Sequence, residues 1–588
     1  NGASAWEMST DKDIKGKADS DYEKRCRDPR GIDPAQSSFV FVTPRRWHKK
    51  NEWAAARRVE SVWREVRAYD ADDLEQWLEL APNVHIWFSI LIGKHPGDAV
   101  DLDNFWNDWA AVTQPVTPPA LVLSGRGDLV ESVQTWLRDP SAVPLALRAE
   151  SSDEAAGVLA AVVQQLPLDE RVAYLSRAVV VRSPSAWNYL AVSQEPLILV
   201  PMFDSCDDTM IASATRRGHR VIVPLGRSES ALVRAVEVPK LSLEEVVKAL
   251  VSIGVVEDRA RDLATLACRS FKSFRRKLAM SPEVRQPKWA CPAEARSLLP
   301  AVLMGTWSDA KDGDRQTLAA LAQAPYEEMD RVLTRWRNEV DPPVRHVGDT
   351  WFVVSKEDAW ALLAKYLAKD DFERFEKIVL QVLGTPDPRF DLPDNKRWMA
   401  TALGHAPQHS ERLREGLADT LALMGTRGDT TAISAGASAS NYTTRIVGRL
   451  LECANTDWRV WASLSRSLPL IAEAAPDAFL SAVEKGLQGE RPVLLDLFVE
   501  EQDPLFGSSH HTGLLWALET LAWSPEYLGY AVLLLAKLAR LDPGGKLANR
   551  PKSSLYEIFL PWHPQTTASL DQGLRVLDTI RGRDPEVA

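Results

Sequence analysis

Apolar positions in the N-terminal part of the chain change period several times, which predicts alternating strands and helices. Short apolar runs between polar or turn residues predict strands at 5–10, 39–43 and 66–69. Between these runs, residues 17–25 predict a polar helix. Residues 52–64 predict a second helix, because their apolar residues lie on one face. The alternation indicates a mixed α/β domain, which we assign to residues 1–113.

The same alternation returns after a proline-rich linker at 114–119 and indicates a second α/β domain over residues 120–237. Apolar runs predict buried strands at 120–124, 145–149, 179–182, 197–201 and 220–224. Helical segments such as 152–165 lie between these runs. Such a pattern is typical of a parallel sheet that is flanked by helices.

From residue 238 onward the pattern is helical. Residues 238–370 predict amphipathic helices and one short strand pair at 346–355, which resembles the wing of a winged-helix domain. Residues 371–588 predict a succession of helices without a fixed repeat, typical of a solenoid-like region. The predicted fold class is multidomain, with α/β N-terminal and central domains followed by a winged-helix-like and an all-α region.

Composition and charge narrow the classes of function. The formal net charge of -11 argues against a protein that coats nucleic acid along its whole length, so any such contact must come from a local basic patch. Five scattered cysteines without a CxxC pair argue against a disulfide framework or a zinc site. No apolar stretch approaches the length of a membrane-spanning helix. We therefore expect a cytoplasmic protein that has no membrane partner.

A glutamate on the first predicted strand is the first candidate for chemistry. Glu7 precedes a helix that carries Lys15 and Lys17. A carboxylate at a strand end can hold Mg²⁺, and a neighbouring lysine can stabilise the charge that develops during phosphodiester cleavage. Glu7 as metal ligand and catalytic residue, with Lys15 and Lys17, resembles the second half of the restriction-endonuclease motif. The resemblance implies a nuclease domain with Mg²⁺ as its cofactor.

The sequence departs from that motif in two respects. The usual form is Glu-x-Lys, whereas Ser9 stands two residues after Glu7. The upstream acid of the motif would lie before residue 1, so we expect a truncated domain and a chain that is inactive alone. The alternative is that Glu7 and the lysines form a solvated strand end and helix.

A basic stretch follows the buried strand at 39–43. It consists of Arg45, Arg46, Trp47, His48, Lys49 and Lys50. Arginine and lysine can neutralise phosphates, and Trp47 can stack on a base, so this loop is a candidate nucleic-acid-binding site formed by Arg45, Arg46, Trp47, Lys49 and Lys50. The alternative is a solvated loop in which Trp47 packs inward.

The central domain lacks the residues of a working phosphate-binding loop. Such a loop has the form GxxxxGK[ST] after the first strand, and neither 124–128 (SGRGD) nor 147–151 (LRAES) has the final pair. Residues 197–204 (LILVPMFD) resemble a Walker B strand, but Pro201 stands at the position of the acid and Asp204 comes three residues later. We therefore do not expect ATP as a cofactor.

The order of elements over residues 120–588 resembles the STAND class of signalling NTPases, with an α/β domain, a helical lid over 238–370 that ends in the winged-helix-like unit, and a helical array. The resemblance implies a bacterial defence or signalling protein with a nuclease-like effector, a degenerate nucleotide switch and a helical sensor. The C-terminal helices would bind a protein partner, and the N-terminal domain would contact DNA. The alternative is a non-enzymatic helical scaffold for a protein partner.

Overall fold

The fold is taken from a computed structural model. It describes residues 3–92, 98–139, 143–204, 206–227, 229–231, 233–339, 341–428, 438–499, 509–545, 548–560, 562, 564–583 and 585–586. Within these ranges the chain is mixed α/β, with three small sheets and many helices. None of the helices within these ranges combines the length and the hydropathy that crossing a bilayer requires.

The N-terminal unit is a three-stranded parallel sheet in the order β1-β2-β3 with α1 and α2 on one face. Its elements are β1 (Ser4–Met8), α1 (Ile14–Arg27), a 3-10 turn (Pro34–Gln36), β2 (Ser38–Val42), α2 (Lys50–Val59), β3 (Glu65–Tyr69), α3 (Ala71–Leu80) and α4 (Pro82–Leu91). Phe39 and Phe41 of β2 pack under α1 and α2 against Tyr22 and Trp53. The three strands predicted from apolar runs are confirmed.

The central unit is built on a six-stranded sheet in the order β4-β6-β7-β8-β5-β9. Its strands are β4 (Ala99–Asp101), β5 (Leu145–Arg148), β6 (Ala178–Val181), β7 (Ile198–Pro201), β8 (Arg220–Leu225) and β9 (Arg234–Glu237). Its helices are α5 (Leu102–Ala111), α6 (Pro119–Val122), α7 (Gly127–Arg138), α8 (Ser152–Gln164), α9 (Leu168–Leu175), α10 (Pro184–Leu190) and α11 (Asp208–Arg216). All neighbours are parallel except β4 with β6, which confirms the predicted parallel sheet.

Two expectations about this unit are wrong. Residues 120–124 do not form a strand, because they lie in and after the helical turn α6, which begins at Pro119 and buries Leu121 and Val122. A short apolar run does not distinguish a buried strand from a buried helical turn. The boundary at residue 113 also fails, because β4 pairs with β6 and Trp109 of α5 lies in the core of the central unit.

Three helices follow the central sheet and share its core, namely α12 (Leu243–Ser252), α13 (Glu257–Arg269) and α14 (Phe271–Leu278). The next segment contains α15 (Pro282–Arg285), α16 (Pro292–Met304), β10 (Thr306–Ser308), α17 (Asp312–Ala322), α18 (Tyr326–Arg337), β11 (Val344–Val347), β12 (Thr350–Val353) and α19 (Lys356–Leu363). Its strands form an antiparallel sheet in the order β10-β12-β11, which confirms the predicted strand pair. Short 3-10 turns occur at Lys288–Ala290 and Ala364–Tyr366.

The remainder of the described chain is helical. Its helices are α20 (Lys369–Leu383), α21 (Glu411–Arg427), α22 (Ala439–Ala454), α23 (Trp458–Leu464), α24 (Leu468–Ala474), α25 (Pro476–Gly486), α26 (His511–Ala522), α27 (Pro525–Leu541), α28 (Pro551–Ile558) and α29 (Leu570–Arg583). The 3-10 turns are Pro388–Asp391, Asp394–Met399, Thr401–Leu403, Ser465–Ser467 and Val493–Phe498. One continuous core extends from Trp289 to Ile580, so the boundary at residue 370 does not separate two cores.

Close packing in this helical region depends on glycines. A Cβ atom added to Gly425 of α21 would lie 2.0 Å from the carbonyl oxygen of Ala474, at the end of α24. A Cβ atom added to Gly448 of α22 meets nothing within 4 Å. The two positions therefore form a matched pair for testing the contact between α21 and α24.

We predict that Gly425→Ala destabilises the helical region by about 1–3 kcal/mol, because the methyl group forces two backbones apart. Gly448→Ala should instead stabilise it slightly, by up to about 1 kcal/mol, through helix propensity. Urea unfolding followed by hydrogen exchange in α21 and α24 measures both changes. Equal effects of the two substitutions would contradict the close contact.

Candidate functional site

The carboxyl ends of β5, β7 and β8 meet at one edge of the central sheet. In open α/β sheets, ligands bind in the crevice outside this edge. The segment 149–151 connects β5 directly to α8, so it has the strand–loop–helix position at which backbone N–H groups can hold a phosphate. Of the two segments considered from sequence, 147–151 has this position, whereas 124–128 lies between α6 and the start of α7.

The first turn of α8 carries three consecutive polar side chains, and each is bound by an arginine from a different part of the chain. The pairs are Ser152 Oγ with Arg345 Nη1 at 2.7 Å, Asp153 Oδ2 with Arg275 Nη1 at 2.8 Å, and Glu154 Oε1 with Arg126 Nη2 at 2.9 Å. A phosphate at this helix end would meet two carboxylates. The positive end of the helix dipole is therefore already used by the protein's own acids.

Arg345 reaches from β11 into the crevice at the edge of the central sheet. Its Nη2 lies 2.6 Å from Oδ1 of Asp204, which follows β7, and its Nη1 lies 3.3 Å from Oε1 of Glu229, which follows β8. Burial raises the pKa of Glu229, and the guanidinium of Arg345 opposes this rise. One side chain thus connects the β11–β12 hairpin to the segments after β7 and β8 and to the start of α8.

Glu150 connects the central unit to two other helices. Its carboxylate accepts hydrogen bonds from the hydroxyl of Ser270, at 2.7 Å, and from the hydroxyl of Ser355. Ser270 caps the N-terminus of α14, and Ser355 caps the N-terminus of α19. Burial raises the pKa of Glu150 to about 7, the charge of Glu154 adds to the rise, and the two hydroxyls oppose it.

Helix α14 also forms ion pairs at the place where Glu150 joins the central unit to α14 and α19, which we call the junction. Arg276 Nε lies 2.7 Å from a carboxylate oxygen of Asp358 in α19, and its Nη2 lies 2.6 Å from Asp341. Lys272 also pairs with Asp341, at 2.9 Å. Burial alone would raise the pKa of Asp341, but Lys272 and Arg276 outweigh burial and keep it below its ordinary value. Helix α14 and the β11–α19 segment with its preceding residue Asp341 are therefore joined by ion pairs, of which Arg276 with Asp358 is buried.

A cavity of about 440 Å³ lies at this junction, between the end of β5, the end of α13, the start of α19, α21 and α24. Two ion pairs cross its wall, Lys356 with Asp419 and Arg427 with Glu357. The cationic side chains of Arg227, Lys240 and Arg269 also line it. The lining is strongly charged and contains no glycine-rich loop.

The fold brings only one of the two predicted lysines near Glu7: the charge of Glu7 affects Lys17, whereas Lys15 pairs elsewhere. Glu7 is bound by Arg25 of α1, through a short hydrogen bond and ion pair. Lys17 pairs with Asp21 at 2.6 Å, and this hydrogen bond is the main cause of its raised pKa, to which the charge of Glu7 adds. Lys15 pairs with Asp19 at 2.8 Å and is 70% exposed. The carboxylate of Glu7 therefore faces an arginine rather than the predicted lysines.

This arrangement does not fit a Mg²⁺ site. The carboxylate of Glu7 is already neutralised by Arg25, and its side chain is only 18% exposed. Within the described ranges, His, Cys, Asp and Glu side chains form no group of three or more that could hold a metal ion. We therefore derive no catalytic step through Glu7.

The basic loop is divided by the fold into exposed and buried residues. Arg45, Arg46 and Lys49 are exposed. Trp47 is buried against Phe41 and Trp53, with its ring centroid 5.5 Å from that of Trp53. Stacking of Trp47 on a nucleobase is thus wrong for this conformation, because the apolar core already covers the ring.

Lys50 is likewise withdrawn from solvent. Its ammonium group lies 2.6 Å from Asp70 and also pairs with Asp73. Burial alone would raise the pKa of Asp70, but Lys50 and the backbone N–H of Trp47 keep it below its ordinary value. Lys50 therefore anchors the start of α3. The exposed cations of the predicted set are Arg45, Arg46 and Lys49, of which Arg46 pairs with Asp72 at 3.0 Å.

The residues that organise the central crevice were not identified from sequence. Arg345 lies one residue before the predicted strand pair, and its partners are 116 or more positions away along the chain. Glu150 stands within the LRAES segment, directly before Ser151, where a working phosphate-binding loop has its lysine. This replacement was the signal in the sequence that could have identified Glu150. The sequence matches no model of a known protein family, and no curated protein resembles it at a significant level.

We predict that Glu150→Gln removes a pH dependence of stability. The pKa of Glu150 is raised from 4.5 to about 7 in the folded protein, so its stabilising contribution is complete below pH 4.5 and is lost as the pH rises through 7. At pH 8 the variant should be more stable than the wild type by about 3 kcal/mol, and at pH 5 the difference should fall below about 1 kcal/mol. Urea unfolding at several pH values measures this.

Glu131→Gln provides the control, because Glu131 is exposed on α7. It should leave the slope of stability against pH unchanged. A parallel slope in the wild type and in Glu150→Gln would contradict the burial of Glu150 at the junction.

We predict that Glu7→Gln destabilises the N-terminal unit by about 2 kcal/mol, because Arg25 loses its carboxylate partner in a largely buried place. Glu23→Gln on α1, the helix that carries Arg25, should change stability by less than about 0.5 kcal/mol, since the pair of Glu23 with Arg27 is exposed. Hydrogen exchange in α1 and β2 at rising urea measures both. Unchanged protection together with loss of Mg²⁺-dependent DNA cleavage would assign Glu7 to catalysis instead.

Proposed function

We propose that this chain is a STAND-like defence or signalling switch whose central domain works without a bound nucleotide and whose C-terminal helices bind a protein partner. The observation that carries the proposal is the position of Arg345. Its guanidinium lies between Ser152, Asp204 and Glu229, where a nucleotide switch of this kind would place phosphate and its metal ion. A conformational change would then be controlled by protein contacts rather than by hydrolysis.

The topology of the central sheet supports this proposal. In the P-loop switch proteins that the sequence resembles, one strand lies between the strand of the phosphate loop and the Walker B strand. Here β8 lies between β5, which precedes the phosphate-loop position, and β7, which contains the Walker-B-like run. The resemblance then concerns the arrangement of strands, while the ligand-binding residues are replaced.

The segment after the lid supports a winged-helix-like assignment. Helices α16, α17 and α18 precede the β11–β12 hairpin, and β10 completes a small antiparallel sheet with it. In this proposal the hairpin delivers Arg345 to the central crevice. The winged-helix-like unit is then the part that opens or closes the switch.

The helical region offers a surface for the proposed partner. Its helices share one core, as expected of a solenoid-like array. Large apolar side chains remain exposed near its C-terminal end, namely Trp516, Trp523, Tyr556 and Trp562. Exposed aromatic residues are typical of protein-binding surfaces. We assign partner recognition to this end of the array.

We further propose that the N-terminal unit is a nuclease-like effector domain that contacts DNA without cutting it in this form. Arg45, Arg46 and Lys49 provide three exposed cations beside the sheet edge. Mg²⁺ would require a carboxylate that Arg25 does not already bind. We expect the chain to bind duplex DNA with a salt-dependent affinity that Arg45→Ala weakens, and an unchanged affinity would remove this contact.

A non-enzymatic scaffold is the second candidate function. The continuous core from Trp289 to Ile580 favours it, because a rigid array needs no moving central domain to present a surface. The two functions differ in one property. A scaffold binds its partner with the same affinity when the crevice is opened, whereas the affinity of a switch for its partner changes.

We predict that Arg345→Ala opens the junction between the central unit and the β11–β12 hairpin. Loss of the guanidinium leaves Asp204 and Glu229 facing each other without a cation, which costs about 3 kcal/mol or more. Hydrogen exchange should accelerate at the start of α8 and in β11, and small-angle scattering should show a larger radius of gyration. Calorimetry of the wild type with ATP, ADP or GTP and Mg²⁺ should show no binding heat.

Arg335→Ala provides the control, because Arg335 forms an exposed pair with Glu294 outside the crevice. Its exchange pattern should equal that of the wild type. Tight nucleotide binding by the wild type, or unchanged exchange in Arg345→Ala, would overturn the nucleotide-free switch.

A further inference from the structure

Helices α3 and α4 carry an unusual number of exposed apolar side chains. Helix α3 contains no buried residue, and the described side chains of α4 are exposed or half-buried. The largest are between 38% and 64% exposed, namely Trp77, Leu80, Val84, Trp87, Phe88 and Leu91. A surface helix normally buries an apolar stripe, so this pair lacks a covering partner within the described chain.

The apolar surface continues onto the N-terminal sheet. The face of this sheet opposite α1 and α2 carries Trp6 and Met8, which are 45% and 72% exposed. Tyr69 connects the two parts, because its ring lies 6.5 Å from that of Trp6 and 4.5 Å from that of Trp77. We call this continuous area, formed by α3, α4 and the open face of β1, the N-terminal apolar surface.

The area of this surface is sufficient for a stable interface. With roughly 200 Å² for a fully exposed large side chain, the exposed fractions correspond to about 800 Å². The largest apolar patch of a typical monomer covers about 300–600 Å², whereas a standard protein interface buries about 800 Å² on each partner. The N-terminal apolar surface matches the second value.

The charges of α3 and α4 argue against an anionic membrane as the target of this surface. Residues 71–91 contain no lysine or arginine, and α3 carries Asp72, Asp73, Glu75 and Glu79. Helices that lie on membranes are rich in lysine and arginine, because these residues bind anionic headgroups. The acidic helix would be repelled by such a surface.

We propose that the N-terminal apolar surface binds a second copy of this chain in a two-fold symmetric dimer. A two-fold interface requires a surface that is complementary to itself. The first turn of α3 lies beside Arg46, which is 3.0 Å from Asp72, while Glu79 lies in the last turn. When α3 packs antiparallel to its copy, Glu79 of one protomer faces Arg46 of the other. The apolar residues between them are buried at the centre.

Light scattering of the full chain after size exclusion tests the dimer. The wild type should have a mass of twice 65.4 kDa at about 10 μM. Trp87→Glu combined with Leu91→Glu should give a mass of 65.4 kDa with an unchanged circular dichroism spectrum. Leu243→Glu is the control, because Leu243 is 49% exposed on α12, distant in sequence from the surface, and should leave the dimer intact.

A charge exchange distinguishes self-association from general stickiness. Arg46→Glu and Glu79→Arg should each weaken the dimer at least tenfold, and the combined variant should recover most of that loss. A wild-type monomer at about 100 μM, no recovery in the combined variant, or a monomer that sediments with neutral phosphatidylcholine vesicles would each overturn the proposal. The charge variants keep the test decisive where the double glutamate variant fails to fold.

Discussion

The docking of α14 and of the β11–β12 hairpin onto the central unit depends on the arginines that bind the first turn of α8. A helix N-terminus favours negative charge, and here that preference is satisfied by Asp153 and Glu154 of the chain itself. These acids are in turn neutralised by arginines from separate elements. Arg126 precedes α7 within the central unit and Arg275 comes from α14, while Arg345 of the β11–β12 hairpin binds the neutral hydroxyl of Ser152. The charge of Asp153 is therefore balanced only when α14 is docked.

Buried ion pairs of this kind determine specificity more than stability. Moving charges out of water costs nearly as much as their attraction returns, but the loss of one partner leaves an uncompensated buried charge. The contacts of Arg276, Arg345 and Glu150 join the same two parts of the molecule, so separating these parts would break all of them. The proposed switch requires an interface of this kind to have two distinct states.

The elements of the fold were largely predictable, and the contacts between them were not. Strands such as 39–43 and 220–224 are short apolar runs of β-branched and aromatic residues, a composition that predicts buried strands. The run at 120–124 failed because a buried helical turn has the same composition as a buried strand. Glu7 was correctly placed on a strand, yet its partner Arg25 comes from the next helix, and no local pattern distinguishes that pairing from one with Lys17.

The N-terminal apolar surface is physically connected to the central sheet. Helix α4 packs against β4, and β4 is the edge strand of the central sheet, where it pairs with β6. Arg345 binds segments that follow β7 and β8, at the carboxyl ends of two central strands of that sheet. A dimer formed through α3 and α4 would therefore attach to the sheet through its edge and leave the crevice free. Because β4 is an edge strand and the contacts of Arg345 lie at the carboxyl ends of β7 and β8, the proposed dimer and the proposed switch use different parts of the sheet. Dimerisation therefore does not require the Arg345 contacts to open.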